Sequence, residues 1–258
     1  MLSQHPYLEL PAPLLFAHRG GGLEVVENSR AALEHTRHLG LTYFETDVHA
    51  TADGVVVLHH DPDLDRMTDT SGLIADLTWD EVSRARDASG HAPVRLEEAL
   101  ADYPELRFNT DAKAEGALEP LISLARRNVA RVCLASFSDS RLARIRAAAP
   151  EVATSMGRRE IAAMVAISRL PLGRATSVAT SRLPAATAAT CLQVPIRHRG
   201  IPVVTRRLLD LAHALGLGVH VWTVDDPATM VRLLDLGVDG LVTDVPSTAL
   251  RVLDERAR

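Results

Sequence analysis

The chain has 258 residues, 47% of them hydrophobic, with a formal charge of −5 at pH 7 and a pI near 6.1. This length suits one barrel-sized domain or two small ones, and the apolar content supports a sizeable core, which excludes intrinsic disorder. The net charge is negative, whereas nucleic-acid-binding proteins typically carry a basic face, so we expect no nucleic-acid partner.

Targeting and membrane signals are not visible in the sequence. The first thirteen residues contain no basic region followed by an apolar core, and no apolar run approaches the roughly 18 residues of a spanning helix. Cys133 and Cys191 both lie in apolar runs, which predicts buried, reduced thiols. We therefore expect a soluble, cytoplasmic protein with no stable membrane insertion, and the oligomeric state stays open.

The first predicted strand is an apolar run that ends at His18 and Arg19, followed by three glycines. Such a run predicts a buried strand that ends in a loop. A helix is predicted next, because Asn28 or Ser29 can cap its start and Gly40 can end it.

The second predicted strand, residues 43–48, carries Glu45 and Asp47 on one side, with Cα atoms roughly 6–7 Å apart. Two carboxylates on one side repel each other unless a cation lies between them, and oxygen ligands suit Mg²⁺ or Ca²⁺. The alternative is an exposed edge strand that carries two solvated acids.

A third apolar run, residues 55–58, ends in His59, His60 and Asp61. The two histidines are neighbours and cannot both face inward. In parallel α/β proteins, ligand and catalytic residues gather at the carboxyl ends of strands. A polar segment follows, and we interpret residues of about 61–105 as an insertion, since long insertions tend to be lids or binding loops.

The next predicted strand, residues 107–113, places Asn109, Asp111 and Lys113 on one face. Lys113 is the only lysine among 28 basic residues. Codon bias explains an arginine excess but not the position of the exception, which indicates a need for a compact point charge. The alternative is a surface salt bridge between Asp111 and Lys113.

The rest of the chain alternates between helices and strands. One predicted helix begins after Thr78, and others cover residues 94–103, 117–128, 139–149, 161–170, 207–215 and 227–236. Predicted strands begin near residues 14, 43, 107, 130, 152, 190, 218 and 240. Eight such units at this length favour a closed (β/α)₈ barrel over an open sheet. No Gly-x-Gly-x-x-Gly follows a strand and no Walker loop is present.

Four short motifs in fixed order are specific, although each alone is weak. They are His18-Arg19-Gly20, Glu27-Asn28-Ser29, Glu45-Thr46-Asp47 and His60-Asp61. This order resembles the signature of the glycerophosphodiester phosphodiesterase family, and the resemblance covers essentially the whole chain, weakest over residues 158–190. The first motif occurs a second time, as His198-Arg199-Gly200. This copy is not followed by the other motifs, so it is predicted to be a solvated loop.

The resemblance implies a single TIM-barrel domain over residues 1–258, with the small insertion after the second strand region. It further implies metal-dependent hydrolysis of glycerophosphodiesters to sn-glycerol 3-phosphate and an alcohol, with one divalent cation, Mg²⁺ or Ca²⁺. The implied roles are catalysis by His18 and His60, metal binding by Glu45, Asp47 and Asp111, substrate binding by Arg19, Lys113 and Trp222, and support by Glu27 and Asn28.

Several points stay open at this level. The family carries a glutamate where this chain has Asp111, and the shorter side chain loses about 1.5 Å of reach, so direct ligation by Asp111 is undecided. It is also undecided which histidine acts as the acid, which head-group the substrate carries and which metal ion binds. Asn28 could serve as a helix cap, and Trp222 could be a core residue. Alternative functions are a lysophospholipase D, in which residues 161–190 contact lipid, and an inactive phosphodiester-binding barrel.

Overall fold

The structure, a computed structural model, describes residues 5–183 and 188–258. The strands in chain order are β1 (Leu14–His18), β2 (Tyr43–Ala50), β3 (Val56–Leu58), β4 (Arg107–Ala112), β5 (Val132–Ala135), β6 (Ala153–Thr154), β7 (Cys191–Pro195), β8 (Arg197–His198), β9 (Ile201–Pro202), β10 (Gly218–Trp222) and β11 (Gly240–Thr243). Eight of them are parallel, in the order β6-β5-β4-β2-β1-β11-β10-β7. The eight predicted strands are therefore confirmed.

Helices connect most of these strands. They are α1 (Arg30–His38), α2 (Trp79–Val82), α3 (Leu96–Asp102), α4 (Leu118–Arg126), α5 (Asp139–Ala148), α6 (Arg158–Ile167), α7 (Leu172–Arg182), α8 (Arg206–Ala214), α9 (Pro227–Leu236) and α10 (Pro246–Arg256). Helices α7 and α10 were not predicted. The Ala-, Ser- and Thr-rich sequence of α7 carries a weak amphipathic pattern, since it buries only Ala175 and Ala179.

The barrel is nearly closed between β6 and β7. A parallel bridge joins Ser155 to Cys191, and the Met156 backbone N–H donates to the Cys191 carbonyl at 2.9 Å. At the opposite end, the Tyr43 hydroxyl donates to the Tyr7 carbonyl at 2.6 Å, so the segment before β1 covers the amino ends of the strands. Both cysteines are free and buried, as predicted. The (β/α)₈ fold is thus confirmed.

Strand β2 lies between β1 and β4, and all eight of its residues are buried. The edge-strand alternative for Glu45 and Asp47 is therefore wrong. In the register of the sheet, Glu45 pairs with His18 on β1, and Asp47 pairs with Asp111 on β4. Register alone thus brings candidate residues of three strands together at one end of the barrel.

Strand β3 runs antiparallel to β2 and lies outside the barrel path, so His60 does not come from a barrel strand. The segment that follows has its own small core around Leu64, Ile74 and Val82. Helix α3 instead packs with Phe44 and Phe108 in the barrel core. No helix of the described residues is long and apolar enough to cross a membrane.

Candidate active site

A cavity of about 1340 Å³ opens at the carboxyl ends of the barrel strands. Eight of the ten predicted site residues lie on its wall: His18, Arg19, Glu45, Asp47, His60, Asp111, Lys113 and Trp222. Glu27 and Asn28 lie behind this wall. The neighbouring His59 is turned away, and its Nε2 atom pairs with the Asp63 carbonyl at 2.8 Å.

The loop after β1 turns sharply within a crowded space. Arg19 and Gly20 both have positive φ angles, of 52° and 84°. A Cβ atom on Gly20 would lie 2.4 Å from the Cβ atom of Ala32 and 2.6 Å from the Phe44 ring, so only glycine fits. The turn directs the Arg19 backbone N–H to Glu45, whose Oε2 accepts it at 3.2 Å.

His18 is held by the barrel. Its Nδ1 atom lies 2.7 Å from Oδ1 of Asp244, which follows β11, and its Nε2 atom lies 3.7 Å from Oε2 of Glu45. Burial by itself lowers the pKa of His18, but the Glu45 and Asp244 carboxylates outweigh burial, so the pKa is raised. The Asp244 contact leaves Nε2 as the ring nitrogen that faces the other site groups.

His60 is held by the segment outside the barrel. Its Nδ1 atom lies 2.7 Å from Oδ1 of Asp61, and the Arg66 Nε atom donates to Oδ2 of Asp61 at 2.5 Å. The hydrogen bond from Arg66 lowers the pKa of Asp61 to about 2. Glu27 joins this chain of contacts to the barrel, because it accepts from Arg66 at 2.7 Å and from Arg19 at 3.1 Å.

Three buried carboxylates form the floor of the site. The Lys113 Nζ atom lies 2.8 Å from Oδ1 of Asp47 and 2.7 Å from Oδ2 of Asp111, and Arg19 Nε lies 3.1 Å from Oδ2 of Asp47. Asp111 and Lys113 are thus part of the cavity floor, so the surface-salt-bridge alternative is wrong. Burial raises the pKa of Glu45 to about 7; His18 opposes this effect and Asp47 adds to it.

The donor chemistry at this floor fits a hard cation. Oδ2 of Asp47 and Oδ1 of Asp111 are buried and make no aligned hydrogen bond. Within residues 5–183 and 188–258, no three His, Cys, Asp or Glu side chains are arranged to hold a metal ion as they stand. Carboxylate oxygens are nevertheless the ligands that Mg²⁺ and Ca²⁺ prefer, and Glu45, Asp47 and Asp111 supply them from adjacent strands.

Asn28 does not cap helix α1, because the Ser29 side chain does so by accepting the Ala32 backbone N–H. Asn28 has a φ angle of 52°, and its Oδ1 atom accepts from the Thr46 hydroxyl at 2.7 Å. Its Nδ2 atom is buried without a hydrogen-bond partner. Asn28 therefore ties the loop after β1 to strand β2.

Trp222 is half-buried on the cavity wall, so it is not simply a core residue. Its ring meets Phe137 edge to face, with centroids 5.8 Å apart. Phe137 also lies over the Lys113 ammonium, 5.4 Å from the ring centroid. This aromatic pair forms the wall beside the only lysine in the chain.

Sequence reasoning did not assign Asp244, Arg66 or Phe137 to the site. Asp244 had a visible signal, because it ends the last predicted strand, which neighbours β1 in a closed barrel. Phe137 had a similar signal, because it ends the predicted strand that begins near residue 130, whereas Arg66 lies in the irregular insertion and had none. The second His-Arg-Gly copy is exposed but forms the turn of the β8–β9 hairpin, and His198 lines the cavity.

The sequence of this chain is similar to those of known glycerophosphodiester phosphodiesterases. The model of the glycerophosphoryl diester phosphodiesterase family matches residues 18–248. The probable glycerophosphodiester phosphodiesterase 2 of Mycobacterium tuberculosis is 38% identical over 227 residues, which cover 86% of this chain and 83% of that protein. Glycerophosphodiester phosphodiesterase 1 of Rattus norvegicus is 44% identical over 94 residues, which cover 36% of this chain and 27% of that protein.

Solved structures share the fold. A phosphodiesterase of Oleispira antarctica in complex with the product sn-glycerol-3-phosphate has a TM-score of 0.74 at 21% identity, covering 94% of this chain and 97% of that one. A glycerophosphodiester phosphodiesterase of Agrobacterium tumefaciens has a TM-score of 0.72 at 22% identity, covering 92% and 98%. At these identities the likeness concerns the fold.

Proposed function

This chain belongs to the glycerophosphoryl diester phosphodiesterase family, and on that premise we propose that it hydrolyses glycerophosphodiesters to sn-glycerol 3-phosphate and an alcohol. One observation carries the proposal: two histidines, each paired with an aspartate, share a single cavity with two cationic side chains and three buried carboxylates. A phosphodiesterase of the same fold binds sn-glycerol-3-phosphate, which is the product that we expect here.

The reaction places three demands on the site. A phosphodiester is anionic, so it needs positive charge at its phosphoryl oxygens, and it needs a base for the attacking oxygen and an acid for the departing one. Arg19 and Lys113 lie on the cavity wall and supply fixed positive charge. His18 and His60 each hold Nδ1 against an aspartate, so Nε2 is the nitrogen left for the substrate.

The proposed proton transfers follow from this arrangement. One imidazole takes the proton of the attacking hydroxyl, from water or from the glycerol itself, as its oxygen bonds to phosphorus. The other imidazole gives a proton to the alcohol oxygen as the bond between that oxygen and phosphorus breaks. Attack by the glycerol hydroxyl would give a cyclic phosphate, which water then opens in a second step of the same kind.

We further propose that Glu45 and Asp47, with Asp111, hold one divalent cation, Mg²⁺ or Ca²⁺. Two observations support this: Oδ2 of Asp47 and Oδ1 of Asp111 are buried without an aligned hydrogen bond, and Asp47 and Asp111 add to the burial that raises the pKa of Glu45. When bound, such an ion neutralises charge on phosphoryl oxygens and makes a bound hydroxyl more acidic.

The first test is turnover of glycerophosphocholine by the wild-type protein and by His18→Ala and His60→Ala variants. We expect each variant to lose about 10²- to 10⁴-fold in kcat, the usual contribution of a general acid or base. His38→Ala is the matched control, since His38 is exposed on α1 and pairs with the Glu34 backbone carbonyl of its own helix. Wild-type rates in both site variants would exclude the proposed mechanism, and tight binding without turnover would indicate an inactive barrel.

Metal removal tests the cation separately. We expect a chelator to abolish turnover and added Mg²⁺ or Ca²⁺ to restore it. The same ions should raise the melting temperature of the wild-type protein, since a ligand that binds only the folded state stabilises it. Asp47→Asn should weaken that stabilisation. Full turnover in excess chelator would remove the cation from the proposal and leave the histidine chemistry standing.

A further inference from the structure

Part of the cavity wall is apolar and has no role in the proposed hydrolysis. We call it the apolar arm and define it by Met156, Ile161, Ala162, Val165, Ala166, Ile201 and Val203, which all line the cavity. The whole cavity measures about 1340 Å³, whereas pockets for drug-sized ligands usually have about 300–1,000 Å³. A site for a small glycerophosphodiester alone has no need of this additional apolar wall.

Helix α6 builds one side of the apolar arm. Its residues 161, 162, 165 and 166 recur at helical spacing, so they lie on one face, and all four line the cavity, as does Arg169 in the turn after the helix. Met164 lies on a different face and is fully buried in the core. Ala162 and Ala166 are exposed on the cavity side, where small side chains leave an open apolar trough.

Exposed apolar side chains mark the mouth of the cavity. Ile201 and Phe137 are each 52% exposed and both line the cavity. Ile201 is held there by the β8–β9 hairpin, whose turn residues Arg199 and Gly200 both have positive φ angles, of 47° and 80°, typical of a tight type I′ turn. Exposed apolar surface at the rim of a cavity typically marks a binding site.

Positive charge surrounds the apolar arm. Residues 161–209 contain seven arginines and no aspartate or glutamate, although the chain as a whole has a charge of −5. Arg158 and Arg159 at the start of α6 and Arg169 just after its end line the cavity, as does one acid, Asp139, whose Oδ2 lies 3.9 Å from Nε of Arg159. A ligand that matches this wall therefore carries a negatively charged group and a long apolar group.

We propose that the apolar arm holds the hydrocarbon chain of the substrate, so that the preferred substrate is a glycerophosphodiester with one long chain, such as a lysophospholipid. This inference rests on the proposed function and specifies its substrate class. With lysophosphatidylcholine, the bond between phosphorus and the choline oxygen breaks, and the oxygen of water bonds to phosphorus. The choline oxygen takes up one proton, and the products are lysophosphatidic acid and choline.

The test is the dependence of kcat/KM on chain length, measured below the critical micelle concentration. One series varies the acyl chain of lysophosphatidylcholine from two to eight carbons, with glycerophosphocholine as the chain-free reference. A second series carries the chain on the departing alcohol, as glycerophosphoryl alkanols, and shows on which side of phosphorus the arm lies. Each fully buried methylene is worth up to about fourfold, so we expect at least a tenfold rise across one series.

Variants locate the effect in the arm. Ala166→Glu places a charge in the trough without replacing a core residue, so the ratio of long-chain to short-chain kcat/KM should fall at least about tenfold. Ala147→Glu is the matched control, because Ala147 is exposed on α5 and does not line the cavity. It should keep the wild-type ratio, and an equal loss in both variants would overturn the inference.

Binding of n-alkyl phosphates to the same proteins, measured by calorimetry, reports on the arm without turnover. We expect affinity to increase with chain length in the wild-type protein and to stay flat in Ala166→Glu. Flat chain-length profiles in turnover and in wild-type binding would overturn the inference even if glycerophosphocholine is hydrolysed. If no substrate is hydrolysed, the proposed function fails, and a rising alkyl phosphate affinity would still support the arm.

Discussion

The two histidines of the site have the same local contact but are supported by different parts of the molecule. Each holds Nδ1 at 2.7 Å from an aspartate. His18 ends strand β1 and its partner Asp244 follows β11, and these strands are paired in register. His60 follows β3 outside the barrel, and its partner is the adjacent residue, Asp61.

The difference shows where the site is rigid. Backbone hydrogen bonds between neighbouring barrel strands hold His18 and Asp244 in place. His60 and Asp61 instead depend on Arg66, whose side chain is 49% exposed, and on its contact with Glu27. A segment with more exposed contacts opens locally at lower free-energy cost than a barrel strand. We infer that the His60 side of the cavity adapts to the substrate and that the His18 side stays fixed.

The largest effect that distinguishes the two sides is expected from the aspartates. Asp244→Asn should lower kcat with glycerophosphocholine by about 10- to 100-fold, since loss of an orienting partner typically costs this much. Asp61→Asn should cost less, because the neighbouring segment can readjust around His60. Steady-state kinetics of both variants, with circular dichroism as the folding control, measures the difference. A greater loss for Asp61→Asn would contradict the assignment of the rigid side.

A smaller effect is expected at Arg66. Arg66→Met removes the contacts to Asp61 and Glu27 but keeps most of the side-chain volume, and exposed ion pairs contribute at most about 1 kcal/mol, or roughly fivefold in rate. The loss should appear in kcat more than in KM, because Arg66 acts through His60. Arg84→Met is the matched control, since Arg84 pairs with Asp80 within the same segment and lies away from the cavity wall. Equal kinetics for the two variants would show that Arg66 does not position His60.

The smallest effect concerns the loop after β1, where adjacent residues have separate tasks. Ser29→Ala removes the cap of helix α1 and should lower the free energy of unfolding by about 1 kcal/mol with little change in kcat. Asn28→Ala breaks the contact with Thr46 that ties this loop to β2, so it should lower kcat as well. Urea unfolding and turnover of both variants test this, and an unchanged kcat in Asn28→Ala would remove the residue from the site.

Much of the site could be predicted from the local sequence pattern of the strands. Alternation along β2 placed Glu45 and Asp47 on one side, and alternation along β4 added Asp111 and Lys113. Asn28 could not be assigned in the same way, because an asparagine before a helix is equally consistent with a cap and with a tertiary contact. Its positive φ angle and its bond to Thr46 decided the matter.

The sequence by itself determined the eight strands, the order of the motifs and the face on which each acidic side chain lies, because strand periodicity and turn chemistry act between near neighbours. The tertiary structure alone decided that Asp244 supports His18, 226 residues away, that Arg66 supports His60, and that α6 extends the cavity with an apolar wall. These contacts form only when β11 comes to lie beside β1 and the helices pack around the closed barrel. Closure depends on the packing of the whole core, and no short stretch of sequence encodes it.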